Sequence, residues 1–316
     1  MAGNARHAAP HERSTTMDTL QISATANGLN YLPEYVADLG GLFAERGLTV
    51  TATACDPWTG VLDDIDSGAA HLALGGLWVP AMYAGTARAL SVVGQLNHAF
   101  PMTIVARNET APITLDWLAG KVVLAPGAGG SAPYEFTAGL VREAGLDVAA
   151  TRFVRDLSTA MLVELYRGGL GDAIILDLVS AEELVAAGGG SIVFRHLDAG
   201  GVMPNSVYYT RTDRIEELGD RVPRFMDGIA AAMQRITAGD ADAEITAVLA
   251  ARWPDKDQSL LRRAADEMAA GGVWDSAVVD RDASDRWMRI LFDGGLTTHI
   301  PSSDELLGSP SAVAVS

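Results

Sequence analysis

Apolar and polar positions alternate from Thr19 to Ala26 ("TLQISATA"), the period of a half-buried strand. A turn-rich connection, "NGLNYLP", follows. Then Tyr35, Val36, Leu39, Leu42 and Phe43 recur at helical spacing until a stop at Gly47. "LTVTATAC" reads as a second strand ending at Cys55, and "DPWTG" as the opening of a helix, with Asp56 its cap and Pro57 its first residue. "HLALGG" is a short strand buried on both faces, and "LWVPAMYAG" starts the next helix. This β-α-β-α-β order predicts a parallel sheet covered by helices.

Two further strands, "LSVVGQL" and "PMTIVARNE", flank "NHAF", after which the pattern restarts. "KVVLAPG", the Gly-rich turn and helix of "AGGSAPYEFTAGLVREAG", "TRFVRD", "STAMLVELYRGG" and "DAIILD" make a second β-α-β-α-β set. "SIVFRHL" and "SVYYTR" add strands, and the chain from Asp213 to about Leu307 reads as helical. The expected architecture is α/β with two lobes, the second inserted into the first. Residues 17–107 and 206–316 form lobe one, 108–205 form lobe two, and 1–16 form a disordered extension that makes Met17 a candidate start. Ligands of parallel sheets bind beyond the C-terminal strand edges, so two facing lobes make a cleft that closes by hinge motion.

Composition narrows the function. Of 316 residues, 48% are apolar and 20% charged, as in globular domains. The net charge is −17 and basic residues do not cluster, which argues against nucleic acid and anionic membrane surfaces as partners. Lys121 and Lys256 are the only lysines, so Schiff-base chemistry has two candidates. Cys55 stands alone, so no intramolecular disulfide forms. The first twenty residues have no apolar signal core and the chain has no spanning segment. The chain as written is expected to be cytoplasmic without membrane insertion, or periplasmic or cell-surface if its start lies elsewhere.

Four stretches, in order, carry a resemblance: "YLPEYVADLGGLFAERGLTVT", "DIDSGAAHLALGG", "ITLDWLAGKVVLAPGAGGSAPYEFTAGLVREAGLD" and "LYRGGLGDAIILD", with "WMRILFDGGL" near the end. They resemble the ABC-transporter solute-binding proteins for nitrate, taurine, alkanesulfonates and thiamine pyrimidines, over about Leu20–Leu307. The resemblance implies a type II periplasmic-binding-protein fold, a small organic ligand, an ABC permease as partner and no cofactor. It also admits enzymes on the same scaffold, thiamine-pyrimidine synthases of fungi and sulfinate desulfinases. The former use a lysine-bound pyridoxal phosphate and an active-site His, but neither Lys121 nor Lys256 falls on an expected cleft loop. The latter place a catalytic Cys in the first loop, which here is "NGLNYLP".

The candidate ligand contacts follow the loops. Loop one offers Asn27, Asn30 and Tyr31, as amides and an aromatic hydroxyl or as plain turn residues. Loop two offers Cys55, Asp56 and Trp58, and loop three Gly75, Gly76 and Trp78; the two Trp residues would favour a flat or apolar ligand, or else belong to the core. The crossover supplies Asn97 and His98. "PGAGGSAPYE", with Gly129, Gly130, Ser131 and Tyr134, runs into a helix N-terminus that can hold an anion, though it is not a P-loop. The resemblance puts the grip on an anionic head there. Asp177 can meet an amine or cap the next helix, and Asn205 and Tyr208 lie near the return crossover. Were the chain an enzyme, His98, Cys55, Asp56 and Asp177 would supply acid, base or nucleophile for a lytic, decarboxylating or desulfinating step. No metal motif is present, and the cleft loops carry neither Arg nor Lys, so the expected ligand is weakly charged, zwitterionic or heteroaromatic.

Overall fold

A computed structural model describes residues 17–127 and 130–307. Among the described residues, ten strands form two sheets. They are β1 (Asp18–Ala24), β2 (Leu48–Ala54), β3 (Leu72–Gly76), β4 (Leu90–Gln95), β5 (Met102–Ala106), β6 (Val122–Leu124), β7 (Arg152–Val154), β8 (Ala173–Asp177), β9 (Ser191–Arg195) and β10 (Ser206–Arg211). The first sheet has the order β2-β1-β3-β10-β4 and the second β7-β6-β8-β5-β9.

In the first sheet β1 runs parallel to β2 and β3, while β10 runs antiparallel to β3 and β4. The second repeats this: β6 is parallel to β7 and β8, and β5 is antiparallel to β8 and β9. The reversed strands are those that carry the chain from one sheet to the other. Residues 102–106, assigned from sequence to the first lobe, therefore pair in the second sheet. Their apolar run "MTIVA" fits either sheet, because only long-range pairing chooses between two buried positions.

Local chemistry sets the element ends. The helix Leu32–Leu39 has Pro33 in its first turn, where a missing N–H costs nothing. Asp177, Asp257 and Asp280 accept backbone N–H bonds at the starts of the helices Leu178–Ala186, Gln258–Ala270 and Arg281–Asp293. One expected start is corrected. The second helix runs Gly60–Ser67, so Asp56 is exposed and caps nothing, and Pro57 precedes the helix. Trp58 packs instead against Trp78, with ring centroids 5.0 Å apart.

The C-terminal helices straddle both sheets. Arg221–Ala238 and Asp242–Arg252 pack on Leu32–Leu39, beside the first sheet. Gln258–Ala270 touches Leu178–Ala186, and Arg281–Asp293 packs along Ala132–Glu143, both beside the second. Among the described residues, no helix is long and apolar enough to cross a membrane.

Candidate functional site

Between the sheets lies a cavity of about 300 Å³. Its floor is the C-terminal edge of both sheets, as expected for this class. Asn27–Asn30 follow β1, Asp177 ends β8, Pro101 and Met102 open β5, and Asn205 precedes β10; all line the cavity. Trp253, Lys256, Leu261 and Met268 from the C-terminal helices complete the wall, with Val179 and Ser180.

The polar groups are held by their surroundings. Asn27 Oδ1 accepts from Tyr35 Oη at 2.8 Å and from Arg252 Nη1 at 3.1 Å. That guanidinium stacks 3.4 Å above the Tyr35 ring. Asn30 Nδ2 donates to Asn97 Oδ1 at 2.8 Å, and Asn97 Nδ2 returns a bond to Asn30 O at 2.7 Å. Trp274 Nε1 also donates to Asn30 O, at 3.0 Å. Asn97 is fully buried and pins the first loop to the crossover rather than facing the cavity. Asp177 accepts from Ser180 N at 3.0 Å and from Ser180 Oγ at 2.6 Å at the cavity edge. Lys256 Nζ bonds both carboxylate oxygens of Glu183, at 2.7 and 2.8 Å, tying the C-terminal segment to the helix after β8.

Of the residues singled out from sequence, Asn27, Asn30, Asp177 and Asn205 line the cavity. Others are elsewhere. Tyr208 is corrected outright: it is fully buried, donates to Glu34 Oε2 at 2.7 Å and packs on Phe225. Tyr208 lies inside β10, paired with Leu74 of β3, so it sits on the sheet face and not at a strand tip. Tyr31 is also buried, its hydroxyl 3.3 Å from Thr25 Oγ1. Gly76 ends β3 directly beneath Trp78, which is buried at 6% exposure and faces Gly130. Gly130 has φ +131°, and a Cβ there would lie 2.9 Å from Trp78 Cζ2, so the indole fills the space before the Gly-rich turn. Ser131 Oγ is buried without a hydrogen-bond partner, and Tyr134 packs on Phe153 and under Arg155. Gly129 lies outside the described residues.

The four residues considered for acid, base or nucleophile are not brought together. His98 Nδ1 meets Gln95 Nε2 at 2.9 Å on the crossover. Cys55 Sγ lies 3.0 Å from Ser23 Oγ and donates to Asp64 Oδ2 at 3.3 Å. Burial, with the Asp64 carboxylate beside it, raises the thiol's pKa and disfavours the thiolate. Neither His98, Cys55 nor Asp56 lines the cavity. Among the described residues, no group of three or more His, Cys, Asp or Glu side chains is placed to hold a metal.

The sequence reading missed the C-terminal wall. Lys256, set aside as remote, lines the cavity, so the site does contain a cation. The aromatic face belongs to Trp253, which meets Tyr35 edge-on at 6.1 Å, rather than to Trp58 or Trp78. The one available signal was "RWPDK" between two helical runs, a Trp and a Lys beside a helix-breaking Pro.

The architecture recurs in solved structures. The periplasmic aliphatic sulphonate-binding protein SsuA from Escherichia coli matches with a TM-score of 0.73 at 16% identity, over 94% of this chain and 99% of its own. The periplasmic nitrate-binding protein NrtA from Synechocystis PCC 6803 matches at 0.65 and 12%, over 92% and 84%. A DSZB mutant solved with biphenyl-2-sulfinic acid matches at 0.66 and 15%, over 93% and 98%. These likenesses show the type II periplasmic-binding-protein fold. No curated protein sequence matches the chain. The NMT1/THI5-like family model matches residues 29–243, from the loop after β1 through both sheets into the C-terminal helices, and the chain belongs to that family.

Proposed function

We propose that this chain is the ligand-capturing component of an ABC-type import system, closing its two lobes on a small organic molecule. The observation that carries the reading is the cavity of about 300 Å³ at the C-terminal strand edges of both sheets, bridged at one side by Lys256 and Glu183. Its walls mix one aromatic face, Trp253, and the apolar Leu261, Met268 and Val179 with the amides of Asn27, Asn30 and Asn205. A ligand with a flat or aliphatic body and one or two polar ends meets both kinds of wall. Lys256 suits a carboxylate or sulfonate, and Asp177 an amine. The separation of His98, Cys55 and Asp56 from the cavity favours binding over turnover. SsuA and NrtA, which share the fold, are periplasmic binding proteins for sulphonates and nitrate, and an ABC permease is the corresponding partner for this chain.

Thermal-shift screening of the purified chain against sulfonates, pyrimidines, aromatic acids and amines tests the reading, with mass spectrometry of every hit after incubation. The expected result is a hit recovered unchanged whose stabilisation falls at least tenfold in apparent affinity in Trp253→Ala. A hit that is consumed, with the loss abolished in Cys55→Ala or His98→Ala, replaces transport by catalysis.

A further inference from the structure

A second concavity, of about 220 Å³, lies away from the inter-lobe cavity, in the groove between the helices Ala132–Glu143 and Arg281–Asp293. Three arginines line it: Arg142, Arg286 and Arg289. In a chain of net charge −17 with 23 basic residues, that convergence is unusual. Their states differ. Arg286 is spent: it grips Glu143 through two bonds, of 2.8 and 2.6 Å, and also donates to Gly200 O. Arg142 Nη1, by contrast, is buried with no hydrogen-bond partner, and Arg289 makes no hydrogen bond or ion pair among the described residues. Arg142 and Arg289 thus line one groove with N–H donors to spare, Arg142 also acting through its charge on the buried Glu135 carboxylate, and a buried donor without an acceptor is costly. Gly139 and Ile290 form the apolar floor, where a Cβ on Gly139 would lie 2.5 Å from Ile290 Cγ2.

We infer that this groove binds a small oxyanion, a carboxylate or phosphate type with at least two acceptor oxygens, held between Arg142 and Arg289. Planar guanidiniums match such anions through paired N–H bonds. Glu143 and Asp293 line the same groove, Glu143 being neutralised by Arg286, and together they disfavour an extended acidic surface. One helix follows β6 of the second sheet and the other belongs to the C-terminal set that also contacts the first. A bound anion therefore ties together elements of both lobes, at a distance from the ligand cavity.

The test is thermal unfolding and titration calorimetry of the full chain with inorganic phosphate and with citrate, against sodium chloride at matched ionic strength. The oxyanions are expected to raise Tm by several degrees at millimolar concentration where chloride does not. Arg142→Gln and Arg289→Gln each weaken the apparent affinity at least tenfold, Arg142→Lys restores part of it, and Arg167→Gln, at an exposed pair outside the groove, leaves it unchanged. Arg289 is exposed, so its variant reports binding even where Arg142→Gln lowers the fold's own stability. An equal response to chloride, an undiminished response in Arg289→Gln, or loss of the response in Arg167→Gln overturns the inference.

Discussion

Single residues carry the chain's main pH sensitivity. Glu34 is 3% exposed, and burial pushes its carboxyl up to about 7. The Tyr208 hydroxyl donates to it and pulls the other way, as does Arg252, but desolvation is the larger effect. The folded state holds this proton to a higher pH than the unfolded chain. The group's contribution is therefore complete below the ordinary carboxylate range and is lost as pH rises through about 7. Glu34→Gln should match wild type in chemical denaturation at about pH 5 and exceed it by on the order of 1–3 kcal/mol at about pH 8. A constant difference across that range would refute the assignment. Glu135, raised to about 7 mainly by burial, acts in the same direction and should give the same signature in Glu135→Gln. His196 opposes them: burial lowers its pKa to about 4, so its contribution is lost as pH falls from about 6.5 toward 4. None of these groups stood out in the sequence, because each owes its shift to neighbours distant along the chain.

At the scale of elements, most starts and stops were legible and one was not. Asp177 could be read as a helix cap because Asp before an apolar run is a local signal, and it caps Leu178–Ala186. Asp56 gave the same signal, yet the helix begins at Gly60, and Trp58 packs on Trp78 ahead of its first turn. Close helix contact makes its own demand. The helices Ala132–Glu143 and Arg281–Asp293 meet where Gly139 faces Ile290, with no room for a methyl group. Gly139→Ala should cost roughly 1–3 kcal/mol in equilibrium unfolding despite Ala's better helix propensity. In an Ile290→Ala background, which removes both γ carbons that crowd the site, Gly139→Ala should cost less, and full additivity of the two changes would count against the contact.

For the whole molecule the proposed import role makes opening of the cavity the question. Lys256 and Glu183 join the C-terminal segment to the second lobe, and Arg195 and Glu267 do so again at 2.7 Å. The Lys256 and Glu183 side chains remain 44% and 37% exposed, so the pair adds little to stability. On the proposed import role its effect belongs to the closed arrangement. Glu183→Gln should leave Tm within about 2 °C of wild type. Ligand dissociation in stopped-flow should be several-fold faster, with the association rate little changed. A variant that instead binds more slowly and releases at the wild-type rate would place the pair outside the closing motion.

What the sequence determined by itself was the alternation of strands and helices, the chain's return from a second sheet to the first, and the polar turn after β1 that supplies Asn27 and Asn30. These rest on periodicity, turn residues and caps, all encoded within a few residues of where they act. The tertiary structure alone decided that β5 pairs in the second sheet, that Tyr208 points inward, and that Trp78 packs before the Gly-rich turn instead of lining the cavity. It alone carried Trp253 and Lys256 more than two hundred residues along the chain to face Asn27 and Asn30. A strand edge is written locally, but a wall is built by whichever helix packs across it, and that choice belongs to the buried surface of the complete fold.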